Sequence, residues 1–131
     1  MASEHPWWGP ARVPFLLLTP ACMALGVAWS AWHLAQHEKL SKALSKITPQ
    51  RKGIIDAYVV VIGLDSDPVF KKETAEVLNV LQRRYGAATR SIRLAAGSST
   101  EVTDAPQGSP ANLAVVRAAI ASKMDVKEDV L

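Results

Sequence analysis

Between Arg12 and Glu38 the chain carries no Asp, Glu, Lys or Arg, and no other feature restricts its folding so tightly. The core of this stretch, Val13–Leu34, reads VPFLLLTPACMALGVAWSAWHL. About 20 apolar residues cross a hydrocarbon layer of roughly 30 Å when helical. Trp7 and Trp8 precede the run, and Trp29 and Trp32 stand near its end, at depths where interfacial aromatics are favoured. Pro20 would cost a helix in water about 3 kcal/mol, whereas membrane helices tolerate such a kink. The expectation is a polar tail over 1–12 and a transmembrane helix, a signal anchor, over 13–36. A cleaved signal peptide competes, with Ala28 and Ser30 as its small residues, although the run exceeds the usual apolar region of roughly 7–15 residues. A buried helix of a soluble domain is the third reading. The segment is apolar on every face and has little domain to wrap it.

The net charge of +3 and pI near 9.2 raise nucleic acid as a partner, but the placement of the charge argues against it. Lys39, Lys42, Lys46, Arg51 and Lys52 crowd just after the apolar run. A juxtamembrane cluster of this kind is attracted to anionic headgroups by about 1 kcal/mol per residue. No aromatic residues interleave with the basic ones as a base-stacking surface requires. Within this cluster EKLSKALSKI sets Leu40, Leu44 and Ile47 at helical spacing. Residues 37–55 therefore read as a basic juxtamembrane helix and linker. The helix either lies on the bilayer surface or stands as a solvated stalk. Thr48-Pro49-Gln50 ends it, since the residue before proline disfavours helix. The lone cysteine, Cys22, excludes a disulfide within the chain.

From 56 to 131 the pattern changes to alternating strand and helix. Ala57 to Leu64, AYVVVIGL, is nearly continuous apolar sequence, which suits a strand covered on both faces of a parallel sheet. Asp65-Ser66-Asp67 forms a turn, with Asp67 as N-cap and Pro68 opening a helix to Tyr85. Its expected core stripe is Phe70, Thr74, Val77, Leu78, Leu81 and Tyr85, and Gly86 is its left-handed stop. Arg90 to Ala95 reads as a second strand turning Ile92 and Leu94 inward. A long polar loop, Ala96 to Gly108, follows. Ser109-Pro110 then starts a second helix whose buried stripe is Leu113, Val116, Ile120 and Met124. Val130-Leu131 looks like the opening of a third buried strand. The fold class expected is α/β: a transmembrane helix followed by a truncated βαβα(β) parallel-sheet domain.

The phrases DAYVVVIGLDSDPVF, LQRRYGAATRSI, DAPQGSPANL and MDVKEDVL, in this order and spacing, resemble the bacterial relatives of legumain, the caspase-like cysteine peptidases. The resemblance covers Asp56 to Leu131 almost continuously. It implies that the strand opening at EDVL leads into a Thr/Ser-Ser/Thr-His-Gly segment bearing the catalytic histidine, and that a later strand ends in the catalytic cysteine. Neither segment is in this sequence, so catalytic residues are none and the chain alone is expected to be inactive. The resemblance also implies that the first strand–helix loop, Asp65, Ser66 and Asp67, contributes to the rim of a substrate pocket. The competing reading gives these residues only a turn and a helix cap.

No replacement chemistry is apparent in the residues present. Cys22 sits in the apolar run, where thiolate formation is suppressed, and His5, His33 and His37 flank it. Asp65 and Asp67 alone make a poor cation site. Gly63 stands without the further glycines a dinucleotide loop needs. No cofactor or metal is expected. The sequence thus leads to a membrane-anchored portion of a cysteine endopeptidase, single-pass in a bacterial inner membrane. Its expected partners are the lipid bilayer and a peptide or protein substrate. The excess of Lys and Arg after the run favours a cytoplasmic soluble part, an exported peptidase needs the reverse, and both orientations stay open. The alternative is a non-catalytic α/β interaction module completed by a sheet-adding partner. A gene remnant without activity is a third expectation.

Overall fold

A computed structural model describes residues 19–96 and 104–131. Its elements are α1 (Thr19–Ser45), β1 (Val59–Ile62), α2 (Pro68–Tyr85), β2 (Ser91–Leu94) and α3 (Pro110–Ala121). The chain divides into two compact units, the first ending at Ala31 and the second running Trp32–Leu131. The second unit contains both strands, α2, α3 and the latter part of α1.

The two strands form a parallel ladder with Val59 opposite Ser91 and Ile62 opposite Leu94. Parallel pairing requires a crossover, and α2 supplies it. Its start follows the sequence closely. Asp67 Oδ1 accepts the Val69 N–H at 2.8 Å, with Pro68 in the first turn. At the far end Gly86 adopts φ 62°, and its N–H returns to the Gln82 carbonyl. That left-handed geometry is one in which a side chain is strained. α3 begins in the same way, with Ser109 Oγ accepting the Asn112 N–H at 3.2 Å ahead of Pro110.

Strand alternation divides the apolar side chains between two faces. Tyr58, Val60, Ile62, Ile92 and Leu94 turn to one side and meet Val116 and Ile120 of α3. Val59 and Val61 turn to the other and meet Ala87 with Leu78 and Leu81 of α2. The expected α3 stripe is present throughout, with Val116 and Ile120 fully buried and Leu113 and Met124 packed beside them. The α2 stripe is only half covered. Thr74 is buried and Leu78 and Leu81 are packed, whereas Phe70, Val77 and Tyr85 are exposed.

Two expectations are corrected. Among the described residues no helix is long and apolar enough to cross a membrane, which overturns the fold-class expectation of a transmembrane helix over 13–36. The helix observed opens at Thr19 and continues through His33, His37, Glu38, Lys39 and Lys42, so its apolar part is diluted by polar turns; residues 13–18 lie outside those described. The second correction concerns Leu40, Leu44 and Ile47, expected to meet lipid or stand on a stalk. Leu40 and Ile47 are buried in the protein core and Leu44 packs beside them, on the same sheet face as α3. Burial of each side chain contributes about 2 kcal/mol, so the end of α1 is part of the α/β unit rather than an appendage to it.

The sheet also reaches beyond its two named strands. Ala57 pairs in parallel with Val130, and Ala95 in parallel with Gln107. Val130 donates to the Asp56 carbonyl at 3.0 Å and accepts the Tyr58 N–H at 2.8 Å. The backbone order is therefore Val130, β1, β2, Gln107. The third strand position read from Val130-Leu131 lies beside β1.

Candidate functional site

Ligands of open parallel sheets bind beyond the carboxyl ends of the strands. At that end the Gly63 carbonyl accepts the Ala96 N–H at 2.8 Å. Ala95 donates to Pro106 at 3.0 Å and accepts from Gly108 at 2.9 Å. The backbones of β1, β2 and 106–108 approach so closely that a Cβ at Gly108 would run into the Gly63 carbonyl oxygen. Position 108 thus excludes every side chain.

The turn Asp65-Ser66-Asp67 projects from this end, and all three residues are exposed. Asp65 Oδ1 accepts the Asp67 N–H at 2.9 Å, and Asp67 caps α2. Both carboxylates are thereby employed in local backbone geometry, with their remaining lone pairs facing water. Nearby, Arg93 donates to Asp104 Oδ1 at 2.5 Å and to the Lys71 carbonyl at 3.1 Å. It ties the residue after 97–103 to the first turns of α2. The rim, as far as it is described, is an acidic, polar edge, and residues 46–131 contain neither Cys nor His. Among the described residues no three His, Cys, Asp or Glu side chains converge as a metal site would need. His33 and His37 are exposed on α1, where the His33 ring meets the Trp32 ring edge-on at 4.9 Å. Cys22 lies on α1, and His5 lies outside the described residues.

The opposite end of the sheet holds a buried ionic knot that was not anticipated from the sequence. Asp56 is buried, and its carboxylate accepts the Arg51 N–H at 2.7 Å and the Arg51 guanidinium at 2.6 Å. Arg90, also buried, stands with Nε 3.3 Å from Asp56 Oδ2 and donates through Nη2 to the Pro49 carbonyl at 3.2 Å. Asp129 completes the arrangement: its two carboxylate oxygens accept the N–H groups of Asp56 and Asp125, both at 2.8 Å. The Tyr58 hydroxyl donates to the Lys123 carbonyl at 3.1 Å. Lys123 Nζ in turn donates to the carbonyls of Ile47 and Leu44 at the end of α1, at 2.5 and 3.3 Å.

The hydrogen bonds of Arg51 hold the Asp56 carboxyl below its usual range, against the opposing effect of burial, and Arg90 adds to them. Burial pushes the Tyr58 hydroxyl up. Arg90 Nε is buried 3.3 Å from Asp56 Oδ2 without a hydrogen bond of its own, while the carboxylates, Arg51 and Arg90 Nη2 are bonded within the knot or to backbone, so its chemical capacity is to fix geometry: it sets the register of Val130 against β1 and anchors the start of β2. A signal for it does exist in the sequence. Asp56 is in phase with Tyr58, Val60 and Ile62, and Arg90 with Ile92 and Leu94. A charge in phase with a buried face needs a buried partner, and here the two charges are that pair. Set against known protein families, curated protein sequences and solved structures, this chain matches none.

Proposed function

We propose that this α/β unit is the scaffold portion of a legumain-like cysteine endopeptidase, contributing sheet, helices and substrate rim but no nucleophile. The observation that carries the reading is the parallel bridge between Ala57 and Val130. In the family that the sequence resembles, the strand opening at this segment leads to the catalytic histidine. A strand lying beside β1 would carry such a histidine toward the end of the sheet where Asp65, Ser66 and Asp67 project. In this reading those three residues form part of the rim that meets a peptide substrate, with Asp67 serving also as helix cap. Residues 46–131 lack the imidazole and thiol that peptide hydrolysis of this type requires.

Two measurements test the proposal. Translating the nucleotides that follow the Leu131 codon in all three frames is expected to reveal a His-Gly segment and a later Cys-bearing strand; absence of both from every frame overturns the reading. Purified chain is expected to give no thiol-dependent cleavage of peptide substrates, and such cleavage would contradict the role assigned to it.

A further inference from the structure

We infer that the apolar turns of α1 insert, from one side, into a lipid bilayer bearing anionic headgroups. The inference stands apart from the peptidase reading and rests on how the start of α1 is exposed.

Every residue from 23 to 31 is exposed. The large apolar ones among them are Met23 at 71%, Leu25 at 72%, Val27 at 69% and Trp29 at 66%. At about 100° per residue, Met23 and Val27 share one side of the helix with Leu34, itself 71% exposed. Leu25 and Trp29 lie roughly half a turn away, on the opposite side. A helix apolar all round is one that its surroundings cover all round, in a protein core or in lipid. A groove on another protein covers one face and leaves the other in water, whereas acyl chains cover both. The one side-chain hydroxyl in this stretch fits the same surroundings. Ser30 Oγ donates to the Gly26 carbonyl at 2.6 Å, so the helix satisfies it without water.

The length and the charge that follows define the mode of contact. From Thr19 to Leu34 the helix rises about 24 Å, short of a hydrocarbon layer of roughly 30 Å. It therefore enters the layer without crossing it, with Trp29 and Trp32 toward the boundary, where aromatic rings are favoured. The later turns of α1 cannot add apolar surface, because Leu40, Leu44 and Ile47 belong to the protein core. They present Lys42 instead, exposed and about 12 Å along the helix from Leu34, and Lys46 just past its end. With Lys39 these outnumber Glu38, the one acidic residue of α1. Cations so placed next to an inserted segment select anionic headgroups over zwitterionic ones.

The test uses the full chain with an environment-sensitive fluorophore attached through Ala24→Cys in a Cys22→Ala background. Vesicles of phosphatidylcholine with phosphatidylglycerol are expected to shift its emission to the blue and to shield it from dithionite in the water. Val27→Glu changes an exposed residue and is expected to weaken vesicle binding at least about tenfold, with an unchanged circular dichroism melt. Lys42→Gln together with Lys46→Gln should weaken binding to these vesicles by about tenfold and leave binding to pure phosphatidylcholine unaltered. The inference is overturned if the fluorophore stays open to dithionite when vesicles are present, or if Val27→Glu binds equally well. Equal loss on both kinds of vesicle in the lysine variant overturns the selection of anionic headgroups. A blue shift that grows with protein concentration in the absence of vesicles also overturns the inference, since the cover would then be a second copy of the chain.

Discussion

The two sides of the sheet are built to opposite rules. Beside β2 lies a groove of about 290 Å³ lined by Lys46, Gln82, Thr89, Arg93 and Asp104 among others, and Gln107 closes the carboxyl end of that side by pairing with Ala95. Charged side chains of this kind discourage a further strand. Beside β1 the lining is Val60, Leu81, Tyr85 and Leu131, and among the described residues pairing on that side is confined to Ala57 and Val130. One side carries charge and the other is apolar.

The largest effect should come from Asp56, because it serves both edges at once. It holds Arg90 at the start of β2, and its backbone pairs with Val130. Since its carboxyl is depressed in the folded protein, the stability it contributes is fully present above the unfolded carboxylate pKa of about 4 and is lost as pH falls through the lower folded value. Circular dichroism melts are expected to be flat with pH above about 5 and to fall in acid, with Asp56→Asn abolishing that part of the acid dependence. An unchanged acid limb in the variant would show that the knot does not link the edges.

Gly108→Ala comes next and tests the closed side alone. Its Cβ meets the Gly63 carbonyl, so the chain must shift, at a cost of about 2–3 kcal/mol in chemical denaturation. Asp129→Ala tests the Val130 side. Two backbone N–H groups lose their acceptor, which should cost about 2 kcal/mol and raise amide exchange at Tyr58. If exchange at Ala95 rises equally, the two sides are not independent. Asp67→Ala removes the cap of α2 and should cost about 1 kcal/mol. Arg93→Ala is expected to be smallest, below about 1 kcal/mol, since its partner Asp104 is exposed. Its informative readout is aggregation: removing a guard charge should make the β2 side sticky, as light scattering would detect.

Much of this architecture can be read from the residues in order, and the parts that can are local. Asp67-Pro68, Ser109-Pro110 and Gly86 fix helix ends through bonds that span a few residues. The β1 run and the Ile92 and Leu94 alternation depend on composition and phase alone. Val130-Leu131 resembles a strand opening because nothing else about it suits helix or turn. What escapes is the choice of partner. Leu40, Leu44 and Ile47 are spaced for an apolar surface, and periodicity does not distinguish lipid from Tyr58 and Ile120. The knot escapes for the same reason, since Asp56 and Asp129 are 73 residues apart. The rim residues Asp65 and Asp67 were legible as turn and cap, and their surroundings supply no additional chemistry. On α2, Phe70, Val77 and Tyr85 belong to the expected stripe but outreach a narrow sheet.

The fastening of Lys123 to the carbonyls of Leu44 and Ile47 bears on how the molecule can be divided. A fragment cut to begin at Asp56 would keep every strand yet forfeit Leu40 and Ile47, uncovering Val116 and Ile120 and leaving the lysine without its acceptors. Any protease-resistant kernel, or any expression boundary chosen for solubility, should therefore retain the last turns of α1.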